Sequence, residues 1–127
     1  MVDMVAAVKE FQEAFGQRVG DHPFLPGSHE RDLRKRLMKE EYKEYKKAEE
    51  ANDIVNIAAE LADIIYIACG TAVSYGIPLN EVFEEIHRAN MSKLIDGKII
   101  RREDGKIQKP EGWKPADIET ILKKHTF

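Results

Sequence analysis

The sequence predicts an all-α fold: an antiparallel helical bundle pooled across an oligomer interface, with a small C-terminal β-hairpin and a short last helix. Three observations predict it. Apolar residues recur at three- and four-residue spacing over most of the chain up to Leu94, the period of a helix with one inward face. The helix that would begin near Asp53 is apolar on nearly every side. After Leu94 that period gives way to short apolar pieces separated by Gly and Pro, which punctuate turns.

Taken in order, Val5, Val8, Phe11, Ala14 and Phe15 mark a first helix over residues 2–16. Gly and Pro around Phe24 make residues 16–28 a loop, and Ser28 or His29 opens a long charged helix to about Glu50. Asn52 or Asp53 caps the third helix, which stops at Gly76 with Pro78 beyond, a helix-ending pair. Asn80 begins a fourth helix reaching about Leu94. In KIIRREDGKIQK, Asp104-Gly105 between short apolar pieces predicts a two-residue hairpin turn. Pro110, Gly112 and Pro115 form an irregular connection to a last helix over residues 116–124. No repeat or linker divides the chain, so residues 1–127 are expected to form a single domain.

Composition narrows the class. The chain of 127 residues is 43% hydrophobic and 34% charged, with a formal net charge of -3. That near balance gives no global reason to bind a nucleic-acid polymer. The single Cys69 excludes an internal disulfide and a CxxC metal site, and its apolar helix makes it a core residue. No signal peptide is expected at the N-terminus. The longest apolar segment is interrupted by Glu60 and Asp63, so no membrane span is expected and a cytoplasmic location is.

Those two acids are the unusual feature. Between Asp53 and Gly76 the charged residues are Asp53, Glu60 and Asp63. At 100° per residue, Asp53, Asn56, Glu60 and Asp63 fall in a sector roughly 80° wide. An otherwise apolar helix must be covered on its other sides, so a second subunit is expected. The preceding helix has a matching oddity: Glu40, Glu41 and Glu44 continue the inward stripe of Leu33 and Leu37. A short connection makes the two helices antiparallel, which brings Glu41 and Glu44 beside Glu60 and Asp63. Converging carboxylates repel, and a hard divalent cation resolves the repulsion; Mg²⁺ takes oxygen ligands while keeping substrate phosphates in its shell, with Mn²⁺ an alternative. Two other readings remain open: a solvated face with i,i+4 ion pairs for the glutamates, and Arg34 or Arg36 as a buried partner for Glu60 and Asp63.

The spacing Glu41-x-x-Glu44, then fifteen residues, then Glu60-x-x-Asp63 resembles the ExxE…ExxD signature of the all-α nucleoside triphosphate pyrophosphatases. This is the MazG-like and phosphoribosyl-ATP pyrophosphohydrolase-like superfamily. Residues 87–113, HRANMSKLIDGKIIRREDGKIQKPEGW, resemble one branch of it, as does the N-terminal helix ending at Ala14–Gly16. The resemblance implies hydrolysis of the α–β bond of a nucleoside triphosphate to monophosphate and pyrophosphate. It also implies a homodimer or homotetramer with helices pooled across the interface. House-cleaning of nucleotides such as dUTP or dCTP is the substrate class expected, with phosphoribosyl-ATP the alternative. Glu41, Glu44, Glu60 and Asp63 would hold the metal, and Glu40 or Glu41 would serve the attacking water.

On the fourth helix the stripe Leu79, Val82, Phe83, Ile86 continues into Asn90 and Lys93, which are expected to contact phosphate or sugar oxygens. Arg101 and Arg102 lie in a segment, 93–109, with six basic residues against three acids, either a phosphate cover or a solvated ribbon. Phe24 and Trp113 are either packed or available to stack on a base. Two rivals come from other classes. Glu84-x-x-His87 has the spacing of a ferritin-like di-iron bundle but lacks its partner motif. A non-catalytic helical dimer would leave the acid stripe unexplained.

Overall fold

Short-range capping chemistry sets the helix boundaries. In the computed structural model, which describes residues 1–126, five helices run in order: α1 (Met4–Ala14), α2 (Ser28–Glu50), α3 (Ile54–Tyr75), α4 (Leu79–Met91) and α5 (Ile118–Lys124). The all-α expectation holds. Asp3, Asp53 and Asp117 precede α1, α3 and α5, and each carboxylate accepts from the backbone N–H three residues on. Each thereby satisfies one orphan donor of a first helical turn. Between α2 and α3, Asn52 takes a left-handed φ of 53° while Asp53 alone supplies the cap, so the two polar residues divide the work of one tight reversal.

The described residues form two compact units, Met1–Leu79 together with Thr126, and Asn80–His125. In the first, α3 packs against both α1 and α2. Its interior is built from small residues, Ala48, Cys69, Gly70, Ala72 and Val73, with Val8 from α1. A Cβ at Gly70 would overlap the Arg34 guanidinium and the Gln12 side-chain oxygen. The buried polar groups are satisfied in series. Gln12 Nε2 donates to the Arg18 carbonyl at 2.7 Å, Arg18 Nε to the Ser74 carbonyl at 3.1 Å, and Ser74 Oγ to Glu30 Oε1 at 2.7 Å. Buried polar groups persist in a core on this condition. The loop before α2 is pinned by the same network. Within it Phe24 stacks on His22 at 5.1 Å and lies 4.6 Å beneath the Arg18 guanidinium, so its ring faces are engaged in loop packing.

α3 stays incompletely covered. Ile54 and Val55 are 73% and 75% exposed, and Leu61, Ile65 and Tyr66 also reach the surface. An apolar cavity of about 240 Å³ opens between α1 and α3, lined by Val2, Met4, Ala62, Ile65 and Tyr66 among others. At 22 residues α3 is long and apolar enough to cross a membrane, but Glu60 and Asp63 lie within it and the charged α2 packs against it.

In the second unit the expected C-terminal β-hairpin is not formed. Among the described residues there is no strand, and the segment has only the isolated antiparallel bridges Ile95↔Lys98 and Arg101↔Ile107. The backbone explains why. A two-residue hairpin turn of the favoured kind needs positive φ at both central residues, and Asp104 has none; Gly105 alone does, at 86°. The Gly105 N–H instead closes a turn on the Arg102 carbonyl. The earlier Asp-Gly pair has the required geometry: Asp96 and Gly97 have φ of 50° and 73°, flanked by the reciprocal Ile95–Lys98 bonds. Further on, Trp113 is anchored to α4, its Nε1 donating to the Ala89 carbonyl at 2.9 Å and to Ser92 Oγ at 2.8 Å. Glu85 accepts from Arg88 and from the Asp117 N–H, and these bonds, Arg88 foremost, hold its carboxyl down at about 2.

Gly76 is the most constrained turn. It adopts a φ of 69°, and a Cβ there would run into the His22 backbone. Gly16 has a similar φ of 67° with nothing nearby. Gly16→Ala should therefore cost about 1 kcal/mol, the backbone term alone. Gly76→Ala should cost at least twice as much in a denaturant titration, because it adds the overlap. Equal costs would show that the loop yields freely at His22.

Candidate metal centre

The antiparallel pairing of α2 and α3 follows from the tight reversal at Asn52–Asp53 and determines which side chains meet. The buried or half-buried positions of α2 are Glu30, Leu33, Arg34, Leu37, Met38, Glu41, Tyr45 and Ala48, a continuous i, i+3/i+4 stripe. Glu41 thus occupies a core register, facing α3. There it meets Glu60 and Asp63. One oxygen from each of Glu41, Glu60 and Asp63 lies within 4.8 Å of the others.

The cluster is acidic without compensation. Oε2 of Glu60 is buried and has no hydrogen-bond partner. Arg34, one of the two arginines considered as a buried partner for the acids, is committed elsewhere. Its Nε donates to Thr71 Oγ1 at 3.0 Å and its guanidinium to the Ile67 carbonyl at 3.1 Å. Burial lowers its proton affinity, and the Glu30 charge opposes that. Arg36 is exposed. Among the described residues, no protein cation pairs with Glu60 or Asp63.

Burial raises the proton affinity of the Glu41 carboxyl, and four further causes add to it: its hydrogen bond with Glu60 and the charges of Asp63, Glu60 and Glu44. A carboxyl that resists ionising beside two acids marks a site short of positive charge. Three hard oxygen donors and one orphaned buried lone pair fit a divalent cation of the Mg²⁺ or Mn²⁺ type. Neither sulfur nor imidazole belongs to the set.

Two of the expected glutamates stand outside this triad. Glu44, one turn on from Glu41, is exposed and lies 3.9 Å from Lys47, though its charge is felt at Glu41. Glu40 is exposed on the neighbouring side of α2. Asn90, Lys93, Arg101 and Arg102 belong to the second unit. There Lys93, Arg101 and Arg102 line one cleft, and Asn90 is exposed. Glu84 and His87 are exposed and join no metal-holding group among the described residues. The buried polar layer of Gln12, Arg34 and Ser74 was not anticipated as a unit. Its one signal is Gly70 in mid-helix, where a close approach is required.

The raised Glu41 carboxyl makes a signed prediction. Its folded-state proton affinity exceeds the ordinary value of 4.5, so stability from this group is complete below that value and is lost as pH rises through the higher folded one. In EDTA, Glu41→Gln should therefore gain stability relative to the natural chain as the pH rises above 4.5. Millimolar Mg²⁺ should abolish the gain. A variant that falls behind at the higher pH would show that ionised Glu41 is compensated within the protein.

Among curated proteins none matches the chain. The sequence model of the family described as phosphoribosyl-ATP pyrophosphohydrolase matches residues 8–90, more than half of the chain. The match takes in α2, α3 and all three acids of the triad. The chain belongs to the phosphoribosyl-ATP pyrophosphohydrolase family, within the MazG-like nucleotide pyrophosphohydrolase superfamily.

Proposed function

We propose that the protein is a Mg²⁺-dependent nucleotide pyrophosphohydrolase that cleaves the α–β bond of a nucleoside triphosphate, releasing a monophosphate and pyrophosphate. The observation that carries this reading is the orphaned Glu60 oxygen inside a triad of uncompensated carboxylates. Family membership supports a pyrophosphohydrolase acting on nucleotides. When bound, the cation supplies charge stabilisation on the phosphate oxygens and a more acidic water. Glu41, Glu60 and Asp63 would hold it, with Glu44 completing the set by swinging away from Lys47.

The remaining steps belong to the chain's own side chains. Glu40, next to the ligand Glu41, would orient the attacking water or take its proton, and Glu41 would fix the position of that water through the cation it holds. The water oxygen bonds to phosphorus while the bridging oxygen leaves with the other fragment. Asn90, Lys93, Arg101 and Arg102 would bind phosphate oxygens and neutralise the leaving charge. A house-cleaning role on nucleotides such as dUTP or dCTP is the preferred reading. The family's own description favours phosphoribosyl-ATP as a second, and it shares the same scissile bond.

A homodimer or homotetramer, working in the cytoplasm, completes the proposal. The support is the exposed apolar surface of α3 at Ile54, Val55 and Ile65 and the apolar cavity beside it, since exposed contiguous apolar surface marks an interaction face.

A nucleotide panel that includes phosphoribosyl-ATP, with Mg²⁺ and product identification, tests the activity. Monophosphate plus pyrophosphate is expected, and orthophosphate alone would refute the bond assignment. Glu60→Gln should lower kcat by about a hundredfold or more and leave the metal-free fold at least as stable, because it relieves repulsion. A large loss of metal-free stability would mean that the acid serves structure. Light scattering at micromolar concentration should give a multiple of the chain mass, falling in Ile65→Lys; a monomeric natural chain would overturn the assembly.

A further inference from the structure

The second unit contains a cleft of about 580 Å³ whose charged lining is wholly basic: Lys93, Arg101, Arg102, Lys106 and Lys109. Only Arg102 meets a carboxylate, that of Asp104 at 2.8 Å, and Arg101 donates to the Gly105 carbonyl at 3.0 Å. The three lysines pair with no acid among the described residues. Two of them are held together by a fixed object. Lys93 Nζ lies 5.3 Å and Lys109 Nζ 5.0 Å from the centre of the Trp113 ring. That ring is itself locked by its two hydrogen bonds, one to the Ala89 carbonyl of α4 and one to Ser92 just beyond the helix.

A solvated basic ribbon spreads its lysines apart, because like charges repel and long side chains gain entropy by moving freely. Here one anchored indole draws two ammonium groups to itself, and the segment's reversal at Glu103–Gly105 turns Lys106 into the same cleft. The repulsion thus stored is relieved by an anion. One phosphate carries too little charge to answer three unpaired lysines and a free side of two arginines, whereas linked phosphates present oxygens along a line. Lysine serves such a ligand as a point charge and arginine as a fork. All these residues lie beyond the segment matched by the family model.

We propose that this cleft is a metal-independent site for a chain of two or more linked phosphates, with Lys106 and Lys109 as its new binding residues and Trp113 as the post that positions Lys93 and Lys109. The identity of the ligand rests on the nucleotide-hydrolysing reading above; the binding itself does not need the carboxylate triad.

Trp113 is the only tryptophan, and with Lys93 and Lys109 against its ring its fluorescence senses a ligand that draws on those two lysines. The experiment titrates the full chain, in EDTA at low salt, separately with inorganic tripolyphosphate, pyrophosphate and orthophosphate. A saturable change with either linked phosphate, and a far weaker one with orthophosphate, is expected. Tighter tripolyphosphate points to the substrate's phosphate chain, and tighter pyrophosphate to the product. Lys106→Ala and Lys109→Ala should each weaken binding about tenfold, the worth of one charge-assisted hydrogen bond, and Lys109→Arg should restore most of it. Circular dichroism establishes that the variants fold. No saturable change, unchanged affinity in the two alanine variants, or a single-stranded oligonucleotide that binds far more tightly than tripolyphosphate would each overturn the proposal. Binding without nucleotide turnover upholds the cleft and counts against the triad as a catalyst; turnover without this binding removes the cleft alone.

Discussion

Mutual repulsion among Glu41, Glu60 and Asp63 is the constraint on which the rest of the molecule is arranged. Bringing three carboxylates to within 4.8 Å of each other is costly, and half-burial of Glu41 and Glu60 adds to the cost, while Asp63 stays exposed. Among the described residues no cation pairs with Glu60 or Asp63, and the buried guanidinium of Arg34 is bonded to Thr71 and the Ile67 carbonyl. The scaffold holds this arrangement in place, and the proposed cation would relieve it. The small-residue seam of α3, the tight reversal at Asn52–Asp53 and the buried polar layer are what hold it.

That layer has a structural logic of its own. Gly70 lets Arg34 and Gln12 approach α3, and Ser74, fully buried, passes the connection on to Glu30. The result ties α1, the following loop, α2 and α3 into one rigid body through satisfied hydrogen bonds. Rigidity here matters for function, because a metal or phosphate site gains from ligands that need no rearrangement to bind. The same α3 that carries two of the acids also presents an apolar exterior, so one helix serves the site on one side and the proposed assembly on another.

Much of this was legible in the sequence because it is written in local rules. The start of α3 follows from its cap at Asn52 or Asp53 and its end from Gly76, whereas the caps at Asp3 and Asp117 fall within the helices expected over 2–16 and 116–124. The convergence of Glu41 with Glu60 and Asp63 follows from helical spacing and a short connection. What was not legible depends on tertiary choice. The expected hairpin turn at Asp104-Gly105 fails because a dipeptide does not dictate φ, and the same letters at Asp96-Gly97 take the paired geometry instead. Glu44 has the right spacing but turns toward Lys47, a rotamer choice that periodicity does not encode. Arg34 reads as a candidate buried partner for Glu60 and Asp63; it is buried, but against Gly70, thirty-six positions away, where it bonds Thr71 and the Ile67 carbonyl instead.

The central claim is that these acids exist to hold a divalent cation, and Mn²⁺ makes it visible. Anomalous diffraction from crystals soaked in Mn²⁺ with a non-hydrolysable nucleotide locates the ion without reference to activity. The account predicts a strong anomalous peak among the carboxylates of Glu41, Glu60 and Asp63, with phosphate oxygens in its shell. A triad bare of density, with Mn²⁺ bound elsewhere or not at all, would contradict it.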